Sequence, residues 1–74
     1  MKPTNLGVAW FIAGVTGYVY RTSTESLDAV KEPGYFDRIA GFSQVGDQIY
    51  IVAQNGVGLF YVKTLKPHVE IKEL

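Results

Sequence analysis

Residues 48–63 read QIYIVAQNGVGLFYVK, and this stretch decides the fold. Ile49 and Ile51 recur at the two-residue period of a β-strand, which places them on one face of a sheet. Asn55-Gly56 is the pair most typical of a two-residue type I′ hairpin turn, with both residues at positive φ. The stretch therefore predicts an antiparallel β-hairpin whose strands meet at this pair.

The residues on either side extend this hairpin into a larger sheet. After a turn at residues 64–67, residues 68–72 alternate again, so the C-terminal half is expected to form a three-stranded antiparallel meander. Towards the N-terminus, two strands are predicted at residues 8–13 and 17–21, around a turn marked by paired glycines. Strands are therefore the main element of the expected fold.

The middle of the chain changes period, and short helices are expected there. Thr22 is a suitable N-cap and Glu25 stands at the capping-box distance, so a helix is predicted over about residues 24–31. This helix ends before Gly34, which is expected at positive φ. A second helix is predicted over residues 35–41, where apolar residues recur at helical spacing.

These elements predict one α+β domain over residues 1–74, mostly antiparallel β, with two short helices covering a small sheet or partial barrel. The expected core consists of the apolar residues that face inward in this arrangement, namely Leu27, Val30, Ile39, Ile49, Ile51, Leu59 and Val69.

The composition excludes several classes of protein. The chain has no Cys, which removes disulfide frameworks, zinc fingers and thiol nucleophiles. Seven Lys and Arg residues are matched by seven Asp and Glu residues, so the net charge is zero. Nucleic-acid-binding domains usually carry a strongly basic surface, so no nucleic-acid partner is expected.

No group of residues has the spacing that catalysis or a cofactor requires. His68 is the only histidine, and no second metal ligand stands at a useful spacing from it. Asp28, Asp37 and Asp47 are explained more simply as polar positions of short helices and turns than as a paired acid and base. Neither a glycine-rich phosphate-binding motif nor a nucleophile elbow is present. We therefore expect no catalytic residue, no metal site and no cofactor, and a protein that is not an enzyme.

An uncharged apolar run, GVAWFIAGVTGYVY, occupies residues 7–20. It is too short for a transmembrane helix, which needs ~20 apolar residues, and its β-branched residues favour strands. A secretory signal peptide is the alternative interpretation, because the run follows Lys2. Its removal would take a large part of a small core, so we expect strands here and no membrane partner.

Aromatic residues make up 14% of the chain, which is many for so small a core. Trp10 and Phe11 are adjacent on one predicted strand. Phe60 and Tyr61 are adjacent on another, so each pair places one ring on each face of the sheet. Aromatic rings are enriched at protein interfaces, whereas a nucleic-acid stacking platform would also need a basic groove; ordinary partial burial is a further alternative. The expected interface residues are Trp10, Phe11, Tyr18 and Tyr20.

Residues 22–37 read TSTESLDAVKEPGYFD, and residues 45–52 read VGDQIYIV. In this order and spacing, the two segments resemble a pattern found in small structural proteins of tailed bacteriophages and prophages. The resemblance covers roughly residues 20–62 and departs from the pattern at Pro33. Its most specific positions are Gly34, Tyr35, Phe36 and Asp37, followed by Val45, Gly46 and Asp47.

The resemblance implies a virion structural protein of the head-decoration or head-fibre type, which acts through protein–protein contacts. Its implied partners are further copies of itself, as a homotrimer by analogy with decoration proteins at three-fold positions, and the major capsid protein or another virion protein. The implied location is the capsid surface, after synthesis in the bacterial host cytoplasm. The alternative is a small SH3-like β-barrel binding module that recognises a peptide or single-stranded nucleic acid.

Overall fold

The computed structural model describes residues 1–74. Five strands form one sheet in the order of the chain, namely β1 Leu6–Ile12, β2 Val15–Arg21, β3 Gln48–Ala53, β4 Gly56–Thr64 and β5 Glu70–Glu73. One short α-helix, α1, spans Leu27–Val30, and two 3₁₀ turns lie at Pro3–Asn5 and Asp37–Ile39. The protein is therefore mostly strand with little helix.

The sheet is mixed, which corrects part of the predicted fold class. β1 and β2 form an antiparallel hairpin, and β3, β4 and β5 form the predicted antiparallel meander. β2 and β3, however, pair in parallel. Parallel neighbours require a long crossover, and residues 22–47 supply it by packing over one face of the sheet.

Only one α-helix is present, so the prediction of two is wrong. The N-cap of α1 is Ser26, whose Oγ accepts a hydrogen bond from the N–H of Ala29 at 3.2 Å, and not Thr22. Thr22 is buried and donates its N–H to Val52 O at 2.9 Å, which continues the strand ladder past β2. In place of the second helix, the 3₁₀ turn at Asp37–Ile39 directs the side chains of Phe36 and Ile39, three residues apart, into the core.

The β3–β4 hairpin is confirmed, but its predicted turn is wrong by one residue. Ala53 pairs with Gly56, so Gln54 and Asn55 form the loop, and Asn55 is not at positive φ. Contacts with the crossover determine this loop, because Asn55 Oδ1 accepts a hydrogen bond from the N–H of Leu27 at 2.9 Å. The left-handed turn lies instead in the β1–β2 hairpin, at Ala13 (φ 54°) and Gly14 (φ 82°).

The core lies between the crossover and one face of the sheet. Five of the predicted core residues are buried there, namely Val30, Ile39, Ile49, Ile51 and Val69. Leu27 packs against this cluster without full burial. Leu59 pairs with Tyr50 on the opposite face, which we call the outer face, so its prediction as a core residue is wrong. Phe60 takes its place because neighbouring residues of a strand alternate between faces.

Candidate interaction site

The Gly34–Asp37 segment fastens the crossover to the sheet. Gly34 lies at φ 89°, as predicted, and donates its N–H to Val69 O at 3.0 Å. Phe36 is buried in the core. The segment thus binds the loop before β5, which gives it a structural role.

Tyr35 continues this segment into a chain of hydrogen bonds. Its hydroxyl donates to Glu25 Oε1 and accepts from the hydroxyl of Tyr20 at 2.7 Å. Tyr20 in turn accepts a hydrogen bond from the backbone N–H of Lys2 at 3.1 Å. Burial, followed by the hydrogen bonds to Glu25 and Tyr20, raises the pKa of Tyr35 well above its ordinary value. The chain therefore holds the N-terminal segment, β2 and the crossover together.

Asp37 is the second polar anchor of the segment. Its carboxylate accepts hydrogen bonds from the Nδ1–H of His68 at 2.9 Å and from the backbone N–H of Val69 at 2.7 Å. The hydrogen bond from His68, and then the one from Val69, hold the pKa of Asp37 below its ordinary value of 3.8. His68 and Asp37 are thus both exposed and paired with each other.

The Val45–Gly46–Asp47 motif anchors the end of the crossover. Gly46 lies at φ 97° and donates its N–H to Val62 O at 2.9 Å. The buried carboxylate of Asp47 accepts hydrogen bonds from three donors, the N–H of Thr16 at 3.1 Å, the N–H of Gln44 at 2.9 Å and the hydroxyl of Ser43 at 3.2 Å. Asp47 is therefore an internal hydrogen-bond acceptor and not the polar member of an open turn.

The four predicted interface residues occupy different environments. Tyr18 and Tyr20 are only 4% and 0% exposed, because they share the core face with β3, so they present almost no surface to a partner. Burial, and then the charge of Asp47, raise the pKa of Tyr18. Trp10 is half-buried, with its ring lying against Gly17. Phe11 is 69% exposed and is the one predicted residue that is largely accessible.

The exposed apolar side chains concentrate at the β1–β2 hairpin and beside it. Val8 and Ile12 on β1 are 68% and 70% exposed, and Phe42 and Val45 at the end of the crossover are exposed as well. Sequence reasoning selected Trp10, Phe11, Tyr18 and Tyr20 and missed these four residues. For Val8 and Ile12 the signal was the absence of any charge from β1, LGVAWFI.

An apolar groove of about 460 Å³ lies between β1 and the crossover. Its lining residues are Met1, Pro3, Leu6, Gly7, Val8, Tyr18, Arg38 and Phe42. Arg38 is the only charged residue among them, and neither ion pair of the protein involves it. The groove therefore combines an apolar wall with one unpaired cation.

No helix is long and apolar enough to cross a membrane. His, Asp and Glu side chains form no group of three that could hold a metal ion. No protein-family model, curated protein or solved structure matches the chain. The exposed β1 surface is therefore the structural feature on which a functional hypothesis can be based.

Proposed function

We propose that the chain is a structural subunit of a bacteriophage virion, a capsid decoration or head-fibre protein that acts through protein–protein contacts. The observation that carries this proposal is the exposure of Val8, Phe11 and Ile12 along a strand without a charged residue. Exposed apolar surface of this kind marks interaction sites in soluble proteins. The virion setting rests on the Gly34–Asp37 and Val45–Asp47 resemblance.

Self-association as a homotrimer accompanies this role. The folded chain exposes 4519 Å², against roughly 11,900 Å² for an unfolded chain of this mass. With about 60% of the difference apolar, burial contributes about 110 kcal/mol, and ordering the chain costs about 110 kcal/mol. Because the two terms cancel, contacts between copies are a source of stability for so small a domain.

The contacts of the trimer are expected on the N-terminal hairpin. Phe11 and Ile12 stand at its end, beyond the part of the sheet that the crossover covers. Trp10 contributes from the outer face. The further partner is the major capsid protein or another virion protein, which places the chain on the capsid surface after synthesis in the bacterial host cytoplasm.

A binding module that recognises a peptide is the second candidate. The free edge of β1 beside the apolar groove favours it, because extended peptides add to open sheet edges and place side chains in adjoining pockets. Recognition of single-stranded nucleic acid would show a steep loss of affinity with salt. Binding that persists at high salt separates protein contacts from phosphate contacts.

The direct test is mass spectrometry of purified virions from a strain that carries the gene, together with light scattering of the purified protein. We expect the chain to be present in the virions, and we expect the purified protein to have the mass of three chains in solution. Phe11→Ser should weaken association, whereas Val57→Ser, at an exposed position near the start of β4, is the matched control. Absence from virions would overturn the virion role, and a monomer at millimolar concentration would overturn the trimer.

A further inference from the structure

We propose that the free edge of β1 binds the free edge of β5 from a second copy, and that this edge-to-edge contact joins the copies of the assembly. The inference rests on the proposed function in one respect, namely that the chain associates with itself. It deepens that proposal by naming the second surface. A trimer requires one, because its contacts join two different patches head to tail.

β1 and β5 are the two open edges of the sheet, since each has only one neighbouring strand. The unpaired backbone groups of an open edge bind strands of other chains, and monomeric proteins usually protect such edges with charges or Pro. β1 has neither. β5, EIKE, carries both signs of charge, so its side chains favour an edge that offers an opposite charge beside it.

The strand directions allow the two edges to pair in antiparallel fashion. One parallel and three antiparallel pairings separate β1 from β5, so these two strands run in opposite directions. A rotation axis along the strands keeps the direction of every strand. In a ring of copies, β5 therefore meets β1 of the next copy as an antiparallel neighbour.

The faces of the two strands also match. Leu6 and Val8 pair with Tyr20 and Tyr18, so their side chains point to the core side of the sheet. Ile71 and Glu73 pair with the buried Val62 and Phe60, so theirs point to the same side. Paired residues of an antiparallel sheet share a face. This condition is met when Ile71 lies opposite Val8 and Glu73 lies opposite Leu6.

Charge fixes this register. The groove opens on the core side of β1, and Leu6, Val8 and Arg38 all line it. Glu73, in the same register, would lie over the groove. Neither Arg38 nor Glu73 takes part in an ion pair within the chain. The incoming strand thus supplies a carboxylate for the free guanidinium, and Ile71 covers the exposed Val8.

A second β1 strand that pairs about Ala9 fits this edge less well. The bulge between Val8 and Trp10 changes the phase of β1, so that Val8 faces the core side whereas Trp10 pairs with Gly17 on the outer face. A two-fold pairing of β1 with itself about Ala9 would place Val8 opposite Trp10, on the wrong face. In the proposed register, Ile71, Lys72 and Glu73 lie opposite residues before the bulge, and only Glu70 reaches it, opposite Ala9.

Analytical ultracentrifugation of the full chain and its charge variants tests the contact. Arg38→Glu and Glu73→Arg should each weaken association at least about tenfold, because each sets two like charges together. The double variant Arg38→Glu/Glu73→Arg should recover most of the association. Lys66→Glu and Glu32→Arg make the same charge changes at exposed positions outside the strands and should leave the mass of the assembly in solution unchanged.

The outcomes separate this inference from the proposed function. A trimer that both single variants leave intact overturns the edge contact, while the trimer and the virion role stand. If the chain is absent from virions but the double variant restores association, the edge contact stands and the virion role is overturned. Hydrogen exchange of the wild type needs no variant. Protection at residues 6–8 and 70–73 should rise with concentration, and unchanged protection in an associating sample overturns the proposal.

Discussion

Thr16 donates its backbone N–H to the buried carboxylate of Asp47, 31 residues further along the chain. This bond ties the start of β2 to the end of the crossover, just before β3 begins. Because the same carboxylate also binds Ser43 and Gln44, one side chain ties the end of the crossover to the start of β2, the strand beside which β3 runs in parallel.

Asp47→Asn should lower the free energy of unfolding by ~1–3 kcal/mol. The amide keeps one acceptor oxygen but turns an N–H₂ group towards groups that are themselves donors. Urea denaturation measures the change. Asp28→Asn is the control, because Asp28 is exposed and its contact with Lys31 spans 3.5 Å. Equal effects of the two variants would contradict the role given to Asp47.

Acid should weaken the hold of Asp37 on the loop before β5. Its pKa in the folded protein lies below the ordinary value of 3.8, so its contribution is present above that pH and is lost as the pH falls through the folded-state pKa. The difference in Tm between wild type and Asp37→Asn should therefore shrink as the pH falls below about 4. A difference that stays constant down to the lowest accessible pH would contradict this assignment.

Tyr35→Phe should cost ~1–3 kcal/mol of stability, since Glu25 loses a donor and the Tyr20 hydroxyl loses its acceptor. Tyr50→Phe, whose hydroxyl forms no hydrogen bond on the outer face, should cost much less. The raised pKa of Tyr35 adds a second signature. Its contribution is lost as the pH rises above the ordinary value of 10.0, so the gap between wild type and Tyr35→Phe should narrow in alkali. A gap that widens there would show that Tyr35 ionises readily in the folded protein.

Gly17→Ala should displace the Trp10 ring. A Cβ atom at Gly17 would lie 1.8 Å from Cε2 of Trp10, whereas a Cβ atom at Gly7 would meet nothing within 4 Å. We expect a red shift of the Trp10 fluorescence and a loss of ~1–3 kcal/mol in Gly17→Ala, with neither change in Gly7→Ala. An unshifted spectrum in both variants would mean that the ring does not rest on Gly17 in solution.

The strands were predictable because alternation is a local property. Ile49 and Ile51 stand two residues apart, so that spacing alone places them on one face of the sheet, and both are buried. The turn of the same hairpin was not predictable in this way. Asn55 uses its side chain to bind the N–H of Leu27, 28 residues away, so a contact across the fold overrides the local preference for a type I′ turn.

The candidate interface was predictable only in part, for a similar reason. The alternation of β2 groups Tyr18 with Tyr20 on one face, but it does not say which face is buried. That depends on the parallel pairing that aligns Tyr18 with Ile49 and Tyr20 with Ile51. Phe11 is exposed because β1 and β2 run past the part of the sheet that the crossover covers, which is a property of element lengths and packing.

The parallel seam between β2 and β3 also sets the order in which we expect the chain to fold. The two strand groups on either side of it, β1–β2 and β3–β4–β5, close through short loops, whereas the seam joins residues that a crossover of residues 22–47 separates. Closing the longer connection costs more chain entropy, and non-local pairing slows folding. The β1–β2 hairpin and the β3–β4–β5 meander should therefore form early, and their docking along the seam should limit the rate of folding.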